Sequence, residues 1–475
     1  MDPPAYILSL QNNIRARPIS WEGAMRAKTI TEHDLKRIKA IDKVRKEQRR
    51  QTIENDTDDY SSLLLGSNDS PSIFEAASKR TDIIQYMLVL TGDLIDDIPA
   101  FVENLISKPN PYAPFLPLLK QSTNVEDPIP LLTSSVLSSL LSHGISAQPK
   151  QNDVINEALP QLYTYISKLV KSSDSGLQDI GVQEFSALLR GKKARETFWK
   201  QRNDTVNPLI DVLRSATGGK DSDSTLRNGS STIRSITETH LGGGVGLQLL
   251  YHVLLVLWQL SFEGATVGPG LESDHDILPL YTTLLRISPK EKTTRLLLST
   301  LLNLLNASPQ LKASAMTARL PGVLSNLSSR KLSDPDLLQD LKDLQELLDE
   351  FTRTQTTFDE YAAELQSGHL RWSPPHKNEA FWRENAKRIV EEDKGALVRK
   401  LAEVLGKEWE DDRAVLAVGC NDVAWLVRVC PEKRTELEKL GLKARVMGLM
   451  GSADEGVRWE SLRAVGEWLR YSFEG

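Results

Sequence analysis

Two stretches near the end of the chain decide its fold: DRAVLAVGCNDVAWLVR at residues 412–428 and EGVRWESLRAVGEWLR at residues 455–470. They superpose at an offset of 42 residues, a period typical of armadillo and HEAT repeats, whose helices bury one face only by stacking on neighbouring helices. Between them, LEKLGLKARVMGLM at residues 437–450 has the pattern of a helix, a turn and a helix. The sequence therefore predicts an all-α helical repeat solenoid. The superposition pairs Val415 with Val457, Val423 with Val465, Leu426 with Trp468 and Val427 with Leu469.

The same helical pattern extends upstream of this repeat. Apolar segments with helical spacing, separated by short turns, run from residue 73 to residue 190 and resume from residue 278 to residue 351. The polar run TRTQTT at residues 352–357 interrupts them. We therefore predict a larger N-terminal armadillo/HEAT-like superhelical domain over residues 1–351 and a smaller C-terminal armadillo-like domain over residues 358–475. The linker residues are Thr352, Arg353, Thr354 and Gln355.

A proline pair, Pro374 and Pro375, marks a corner within FDEYAAELQSGHLRWSPPHKNEAFWRENAKRI at residues 358–389. Proline lacks the backbone N–H and restricts the residue before it, so one helix must end ahead of the pair and another must begin behind it. An apolar stripe at helical spacing starts directly after the break. Large aromatic side chains mostly bury area. We therefore predict that three aromatic residues at this corner are buried: Trp372, Phe381 and Trp382.

Composition narrows the class of protein. The chain has 475 residues, too many for one compact core, and only 6% are aromatic, which favours packed helices over sheets. A net charge of −6 argues against a nucleic-acid-binding protein. Two cysteines, Cys420 and Cys430, are too few for a disulfide framework. No signal-peptide core follows Met1, and the most apolar run, residues 247–262, is too short and polar to span a bilayer. We expect a cytosolic chain without direct membrane insertion.

Sequence motifs for catalysis are missing. GxSxG, HExxH and CxxC do not occur, and the seven histidines are scattered singly. His376 lies beside the prolines, where a structural role is expected, because a metal site needs several convergent ligands. Four glycines precede a helix as a phosphate-binding loop would, but the required strand is absent; they are Gly242, Gly243, Gly244 and Gly246. We predict no enzyme, no cofactor and no metal site.

Two further segments carry separate predictions. Thr31 and Asp34 form a predicted capping box that opens a basic helix from about residue 32 to residue 50, followed by a loop over residues 54–72. The basic run is either a solvated face or a docking surface for an acidic partner. Residues 218–235 are rich in glycine and serine, which predicts a disordered insertion. The candidate docking residues are Trp21, Arg26, Lys36 and Arg37.

The corner also carries a family resemblance. FDEYxxELxSGxLxWSPxHxxxxFWxEN resembles the signature of the regulatory H subunit of the eukaryotic vacuolar proton-pumping ATPase. GxQLxY and WxLxF, at residues 246–251 and 258–262, resemble a core helix of that family. Trp21 and the run Thr-Ile-Thr-Glu at residues 29–32 are similar to its amino-terminal region. The insertion at residues 218–235 departs from the pattern.

This resemblance implies a regulatory subunit of the soluble V1 sector, peripheral on the cytosolic face of the vacuolar and other acidic-organelle membranes. It implies that the amino-terminal domain grips the E and G subunits of the peripheral stalk. The carboxy-terminal domain would contact the soluble N-terminal domain of the membrane-sector a subunit in the assembled pump. In released V1 it would meet catalytic-sector or rotor subunits and silence ATP hydrolysis, and in the assembled pump the protein would couple hydrolysis to proton transport.

An inhibitory function needs an element that reaches the catalytic or rotor subunits. GKEWEDDR at residues 406–413 places an outward-looking tryptophan among acids, between two helical hairpins. Acids ahead of a helix are equally explained as capping and dipole partners, but a large aromatic on a charged loop is typical of protein interfaces. We hypothesise that this loop is the inhibitory element. Its residues are Glu408, Trp409, Glu410, Asp411 and Asp412.

The alternative is a free-standing armadillo-type adaptor that binds linear peptides in its concave groove. Such grooves typically carry regularly spaced asparagine and tryptophan ladders. No ladder of this kind is present in residues 94–308, which favours the interpretation as an ATPase component.

Overall fold

The computed structural model describes residues 5–67, 70–147, 152–217, 246–288, 290–354, 357–409 and 412–470. Every regular element in these ranges is a helix, which confirms the predicted all-α class. The helices group into two compact units, Met1–Glu263 and Gly264–Gly475, called here the first and the second unit. The predicted boundary at residues 352–357 lies inside the second unit.

The first unit contains helices that are mostly 9 to 20 residues long. Its α-helices are α1 (Ala5–Ala16), α2 (Trp21–Arg26), α3 (Glu32–Ile41), α4 (Lys46–Asn55), α5 (Thr57–Leu65), α6 (Ile73–Ala76), α7 (Thr81–Asp97), α8 (Pro99–Ser107), α9 (Pro128–Ala147), α10 (Asn152–Val170), α11 (Ser175–Leu188), α12 (Lys192–Lys200), α13 (Arg202–Thr205), α14 (Asn207–Ala216) and α15 (Leu247–Ser261).

Helices of the first unit pack on their near neighbours along the chain. α7 packs on α9, α9 on α10 and α11, and α11 on α15, so each helix buries one face against the next, as in a helical repeat array. Gly181 allows α11 to approach α10 closely, because a Cβ atom there would lie 2.8 Å from Val170 Cγ2 and 3.2 Å from the carbonyl oxygen of Ile166.

The second unit continues the same architecture. Its α-helices are α16 (Gly264–His275), α17 (Ile277–Ile287), α18 (Glu291–Ala307), α19 (Gln310–Thr317), α20 (Leu320–Ser328), α21 (Pro335–Thr354), α22 (Thr357–Ser367), α23 (Pro374–Lys377), α24 (Glu379–Glu391), α25 (Ala396–Val404), α26 (Ala414–Val429), α27 (Arg434–Lys439), α28 (Leu442–Leu449) and α29 (Glu455–Arg470).

The two copies of the predicted repeat are α26 and α29, and these helices pack directly against each other. Val415, Val423 and Val457 are fully buried between the helices of this core. The last pair of the superposition is not equivalent, because Val427 is buried whereas Leu469 is 50% exposed. The predicted repeat is therefore confirmed at its core positions, whereas the two copies differ in burial at their last pair.

Two local predictions in the first unit need correction. The basic helix is not continuous from residue 32 to residue 50: α3 ends at Ile41, and Lys43 adopts a left-handed conformation with φ of 54° before α4 begins. The predicted loop over residues 54–72 contains α5, which Asp56 caps by accepting a hydrogen bond from the Asp59 N–H. The leucines of α5 form its apolar face. The acidic residues at the start of this segment are the reason why it was predicted to be a loop. The insertion at residues 218–235 and the glycines at positions 242–244 lie outside the described residues.

Candidate interaction surfaces

The predicted docking residue Trp21 belongs to the core of the first unit. It is 5% exposed, its Nε1 donates to Asp42 Oδ2 at 3.1 Å, and its ring lies edge-on to Tyr86 with centroids 5.7 Å apart. The Tyr86 hydroxyl donates to the other oxygen of Asp42. Trp21 therefore holds α2 against the rest of the unit, and its prediction as a docking residue is wrong.

Arg37 is also internal, because two carboxylates and a carbonyl group compensate its charge. Its guanidinium pairs with Asp34 and lies 3.0 Å from Asp59 Oδ1, while it donates to the Asp59 carbonyl oxygen at 2.6 Å. Asp34 in turn accepts from the Thr31 N–H, which confirms the predicted capping box. Arg37 thus connects α3 to α5 and is not available to a partner.

Only two of the four candidate docking residues remain on the surface. Arg26 is exposed. The Lys36 side chain is 73% exposed, and its ammonium group lies 3.2 Å from Glu32 one turn earlier. Such exposed pairs contribute little to stability. Arg26 and Lys36 therefore stay candidates for a docking surface.

The proline corner is built largely as predicted. α22 ends at Ser367, and Asn378 caps α24 by accepting hydrogen bonds from the N–H groups of Ala380 and Phe381. Phe381 is 3% exposed and Trp382 is fully buried, which confirms the burial of two aromatics. The third aromatic residue, Trp372, is not buried.

Trp372 is 39% exposed, so the prediction that it is buried is wrong. The Lys377 ammonium lies 5.7 Å from the centre of its ring, an arrangement that stabilises a cation on an aromatic face. Trp372 precedes Pro374 on the irregular segment between α22 and α23. It therefore lies outside the apolar stripe of α24, on which Phe381 and Trp382 are buried. Pro374 is exposed and Pro375 is buried.

A buried polar cluster lies beneath this corner. His376 Nδ1 is 2.7 Å from Asp422 Oδ1, and both side chains are fully buried. His376 Nε2 is 3.5 Å from Glu364 Oε1. The Asn421 amide donates to the His376 carbonyl oxygen at 3.0 Å and to Asp422 Oδ1 at 3.1 Å. The cluster ties α22, α23 and α26 together, which agrees with the structural role expected for His376.

The charges of this cluster favour a protonated imidazole. Burial lowers the pKa of His376, but the negative charge and hydrogen bond of Asp422, together with Glu364, outweigh burial and raise that pKa to about 10. Burial also raises the pKa of Asp422, and the imidazolium opposes that shift. We infer a buried ion pair, because the two groups are in direct hydrogen-bonding contact. Sequence reasoning missed both partners of His376.

The tryptophan of the predicted inhibitory loop does not face outward. Trp409 is half-buried against the core of the second unit. Its Nε1 donates to the Val404 carbonyl oxygen at 3.0 Å, and its ring lies edge-on to His369 with centroids 5.7 Å apart. The prediction of an outward-looking tryptophan is therefore wrong, because the indole finds both a carbonyl partner and a ring in its own unit.

The acids of this loop differ among themselves. Asp412 Oδ2 lies 3.4 Å from the Arg371 guanidinium, which anchors the end of the loop. Glu408 is exposed. Glu410 and Asp411 lie outside the described residues. Trp409 and Asp412 thus fix the two ends of the loop on the second unit, and Glu408 is the described acid that faces solvent.

The predicted linker is mostly helical. α21 continues through Thr352, Arg353 and Thr354, and the Thr352 hydroxyl donates to the Leu348 carbonyl oxygen at 2.8 Å, as threonine does inside a helix. Gln355 lies outside the described residues. α22 begins at Thr357 and packs on α19, so four of the six residues of the polar run belong to helices.

An exposed apolar face on α29 was not predicted. Trp459, Leu462 and Leu469 recur at helical spacing and are 68%, 47% and 50% exposed. Met447 on α28, which packs against α29, is 51% exposed. Contiguous exposed apolar side chains commonly mark protein interaction sites. The sequence does indicate a second apolar face, since α29 carries large apolar residues on both of its faces. Periodicity alone does not show which of the two faces another helix covers.

Neither a metal centre nor a membrane span is evident in the described ranges. No group of three or more His, Cys, Asp or Glu residues there is placed to hold a metal ion. No single helix there has the length and apolar composition needed to cross a bilayer, and one pair, Ala414–Val429 and Pro431–Lys439, passes that test only together and with a bend of 107°.

Stacked helices with an exposed apolar helix face define a helical repeat protein suited to contact another protein. Two family models, both described as the H subunit of the V-ATPase, match residues 5–348 and 354–473. The chain belongs to the family of V-ATPase H subunits.

Similar proteins carry the same description. The V-type proton ATPase H subunit of Drosophila melanogaster is 29% identical over 473 residues, covering 97% of this chain and 89% of that protein. A probable V-type proton ATPase H subunit of Oryza sativa subsp. japonica is 28% identical and covers 94% of each chain. The first of two probable H subunits of Caenorhabditis elegans is 34% identical over 226 residues, covering 46% of this chain and 49% of that protein. An engineered protein of known crystal structure aligns with a TM-score of 0.39 and 12% identity over 92% of this chain and 99% of its own, a likeness too low to carry an argument.

Proposed function

We propose that this chain is a non-catalytic regulatory component of the V1 sector of the vacuolar proton-pumping ATPase. In the assembled pump it couples ATP hydrolysis to proton transport, and in released V1 it inhibits hydrolysis. The observation that carries the proposal is the family match, which spans almost the whole chain in two adjoining parts. Peripheral attachment to the cytosolic face of acidic organelles belongs to the same proposal.

Specific partners are part of this proposal. The amino-terminal part binds the E and G subunits of the peripheral stalk, with Arg26 and Lys36 as exposed cationic candidates. The carboxy-terminal part binds the soluble N-terminal domain of the membrane-sector a subunit in the pump, and catalytic-sector or rotor subunits in released V1. The exposed face of α29, which carries Trp459, supports a protein partner for this part, because aromatic anchors dominate binding energy at interfaces.

The experiment is reconstitution with V1 that has been stripped of its own H subunit. Adding the purified chain should lower ATP hydrolysis, and the variant carrying Trp459→Ser and Leu462→Ser should bind about tenfold or more weakly and inhibit less, as expected on losing anchor side chains. Leu338→Ser is the matched control, since Leu338 is an exposed leucine on α21. Binding without any effect on hydrolysis would contradict the inhibitory function. If the α29 variant bound as tightly as the unsubstituted chain, that face would not be part of the interface.

We retain the loop after α25 as the proposed inhibitory element, carried by its acids rather than by Trp409. The variant Glu408→Ser, Glu410→Ser, Asp411→Ser keeps both anchors, Trp409 and Asp412. It should restore most of the ATP hydrolysis of released V1 while the chain stays bound. The control is a triple serine variant that removes the same charge from exposed acids of α21, namely Glu346, Asp349 and Glu350. Full inhibition by the loop variant would place the inhibitory element elsewhere on the second unit.

A division between two domains near residue 352 is also a proposal. The two family models adjoin there, between residues 348 and 354, although contacts divide the chain at residue 263. Limited proteolysis near Arg353 should give two fragments that unfold separately, whereas resistance at this site and a single unfolding unit would refute the division.

A further inference from the structure

The exposed side of α29 has the residue spacing of a coiled-coil helix. Trp459, Leu462, Gly466 and Leu469 are exposed and follow one another at intervals of three, four and three residues. This is the spacing of a heptad repeat, with Trp459 and Gly466 at its a positions and Leu462 and Leu469 at its d positions. We call these four residues the α29 seam. α29 itself packs on α26 and α28, and its buried residues belong to the core of the second unit.

Arginines flank the α29 seam on both sides. In the same heptad numbering, Arg458 takes a g position, and Arg463 and Arg470 take e positions. All three residues are exposed. Side chains at e and g positions lie beside the partner helix of a coiled coil and form ion pairs with it. The seam therefore presents positive charge where the charged residues of a partner helix would lie.

The acids of α29 do not take e or g positions. Glu460 and Glu467 take b positions, further round the helix from the seam, and Glu455 precedes the seam in the first turn. The Glu460 carboxylate lies 3.0 Å from the guanidinium of Arg463 and compensates its charge. Arg458 and Arg463 thus differ, since Arg458 donates to the neutral carbonyl oxygen of Ser452 at 2.9 Å.

The width of the seam favours a helix over a lipid surface. The large apolar side chains that α29 exposes are those at its a and d positions, which is the narrow contact of a coiled coil. A helix that lies in a membrane surface needs a broader apolar face. A Cβ atom at Gly466 would meet no heavy atom of the described residues within 4 Å. The glycine therefore leaves space between the two leucines for a side chain of a partner.

A second copy of this chain does not fit the seam. In a parallel pair of helices, a g residue meets the e residue five positions further along the other helix, which places Arg458 opposite Arg463 of the second copy. In an antiparallel pair, e positions meet e positions and g positions meet g positions, so arginine again faces arginine. Like charges placed together oppose association. The occupant of the seam must therefore carry acids.

We propose that the α29 seam binds an amphipathic helix of a partner protein that carries apolar residues at its a and d positions and glutamate or aspartate at its e and g positions. Because α29 is already held by α26 and α28, only the partner segment pays for helix formation, so a short seam is sufficient. This inference deepens the proposed function and rests on it for the presence of a protein partner at this face.

Equilibrium binding of three designed peptides to the full chain tests the proposal. Each peptide spans three heptads. The first has leucine at a and d and glutamate at e and g, the second replaces the glutamates with lysines, and the third replaces the leucines with serines. We expect the first peptide to bind about tenfold or more tightly than either of the others, and to bind more weakly as salt is added. Equal binding of the first two peptides overturns the proposal. So does binding of the chain to phosphatidylserine vesicles without binding of the first peptide.

Charge reversal connects this preference to α29. The variant Arg458→Glu, Arg470→Glu should bind the lysine peptide more tightly than the glutamate peptide, because the charges beside the seam are then negative. The matched control is Arg383→Glu, Lys387→Glu, which makes the same charge change at exposed residues of α24. If far-UV circular dichroism shows that the double variant does not fold, Arg470→Glu alone should weaken binding of the glutamate peptide. An unchanged preference in a folded variant overturns the assignment.

Reconstituted V1 separates this inference from the proposed function. A chain that inhibits V1 but does not bind the glutamate peptide would overturn the inference and leave the proposed function intact. A chain that binds the glutamate peptide through α29 but neither binds nor inhibits V1 would contradict the proposed function, while the preference of the seam for an acidic helix would stand.

Discussion

Trp382→Ala is expected to lower the free energy of unfolding of the second unit by about 3–5 kcal/mol, the range for truncating a buried aromatic side chain. Trp382 is fully buried. Its ring centroid lies 5.3 Å from that of Tyr361, 5.6 Å from that of Phe381 and 6.4 Å from that of Trp425, the last in a stacked arrangement. Alanine would leave a cavity among rings contributed by α22, α24 and α26, which rigid neighbours fill poorly.

Chemical denaturation followed by far-UV circular dichroism measures this loss, and hydrogen exchange assigns it to α22, α24 and α26. Trp372→Ala is the control at the same corner. Because Trp372 is 39% exposed, its truncation should change stability by less than about 1 kcal/mol, as most surface substitutions do. If Trp382→Ala unfolded like the unsubstituted chain but lost a partner, the corner would be an interface and not a core.

His376→Leu is expected to destabilise the second unit by about 3–5 kcal/mol near neutral pH, because it leaves the buried carboxylate of Asp422 without its counter-charge. The double variant His376→Leu, Asp422→Leu should be less destabilised than His376→Leu alone, since no charge then remains buried. Denaturation of the two single variants and the double variant forms a cycle that isolates the pair. A double variant with the summed losses of the two single variants would show that the pair is not coupled.

The same histidine predicts a pH dependence. Its pKa is raised to about 10 in the folded chain, above the ordinary value of about 6.5 in an unfolded one. Such a group contributes its full stabilisation below about pH 6.5 and loses it as the pH rises through about 10. Stability should therefore decline from pH 7 to pH 10 in the unsubstituted chain, and this part of the decline should be absent in His376→Leu. Equal pH profiles would show that His376 is neutral when folded.

Several features of the fold could be predicted because neighbouring residues encode them. The 42-residue offset that pairs Val415 with Val457 marks two helices that pack on each other. The proline pair marks a real corner, and Thr31 with Asp34 forms the predicted capping box. Periodicity, proline geometry and capping each act within a few residues. The sequence alone was sufficient for them.

Other features needed the tertiary structure. Periodicity marks an apolar face but does not state whether another element covers it, so α29 with its exposed Trp459 could not be told from a fully buried helix. Trp409 was assigned to the surface from its charged neighbours, and only the structure supplied its contacts with Val404 and His369. The composition of a loop indicates how favourably its residues are hydrated. Whether one of its side chains is buried depends on the elements that pack against that side chain.

Local patterning therefore determined the all-α class, the repeat and the corner of this protein. Tertiary packing decided which charged and aromatic side chains are structural. Arg37 pairs with Asp59 and His376 with Asp422, 22 and 46 residues away, and Glu184 on α11 lines a cavity with residues of four other helices. The physical reason is that the energy of a buried charge depends on its partners in space, and residues that are distant in sequence come together only when the helices stack.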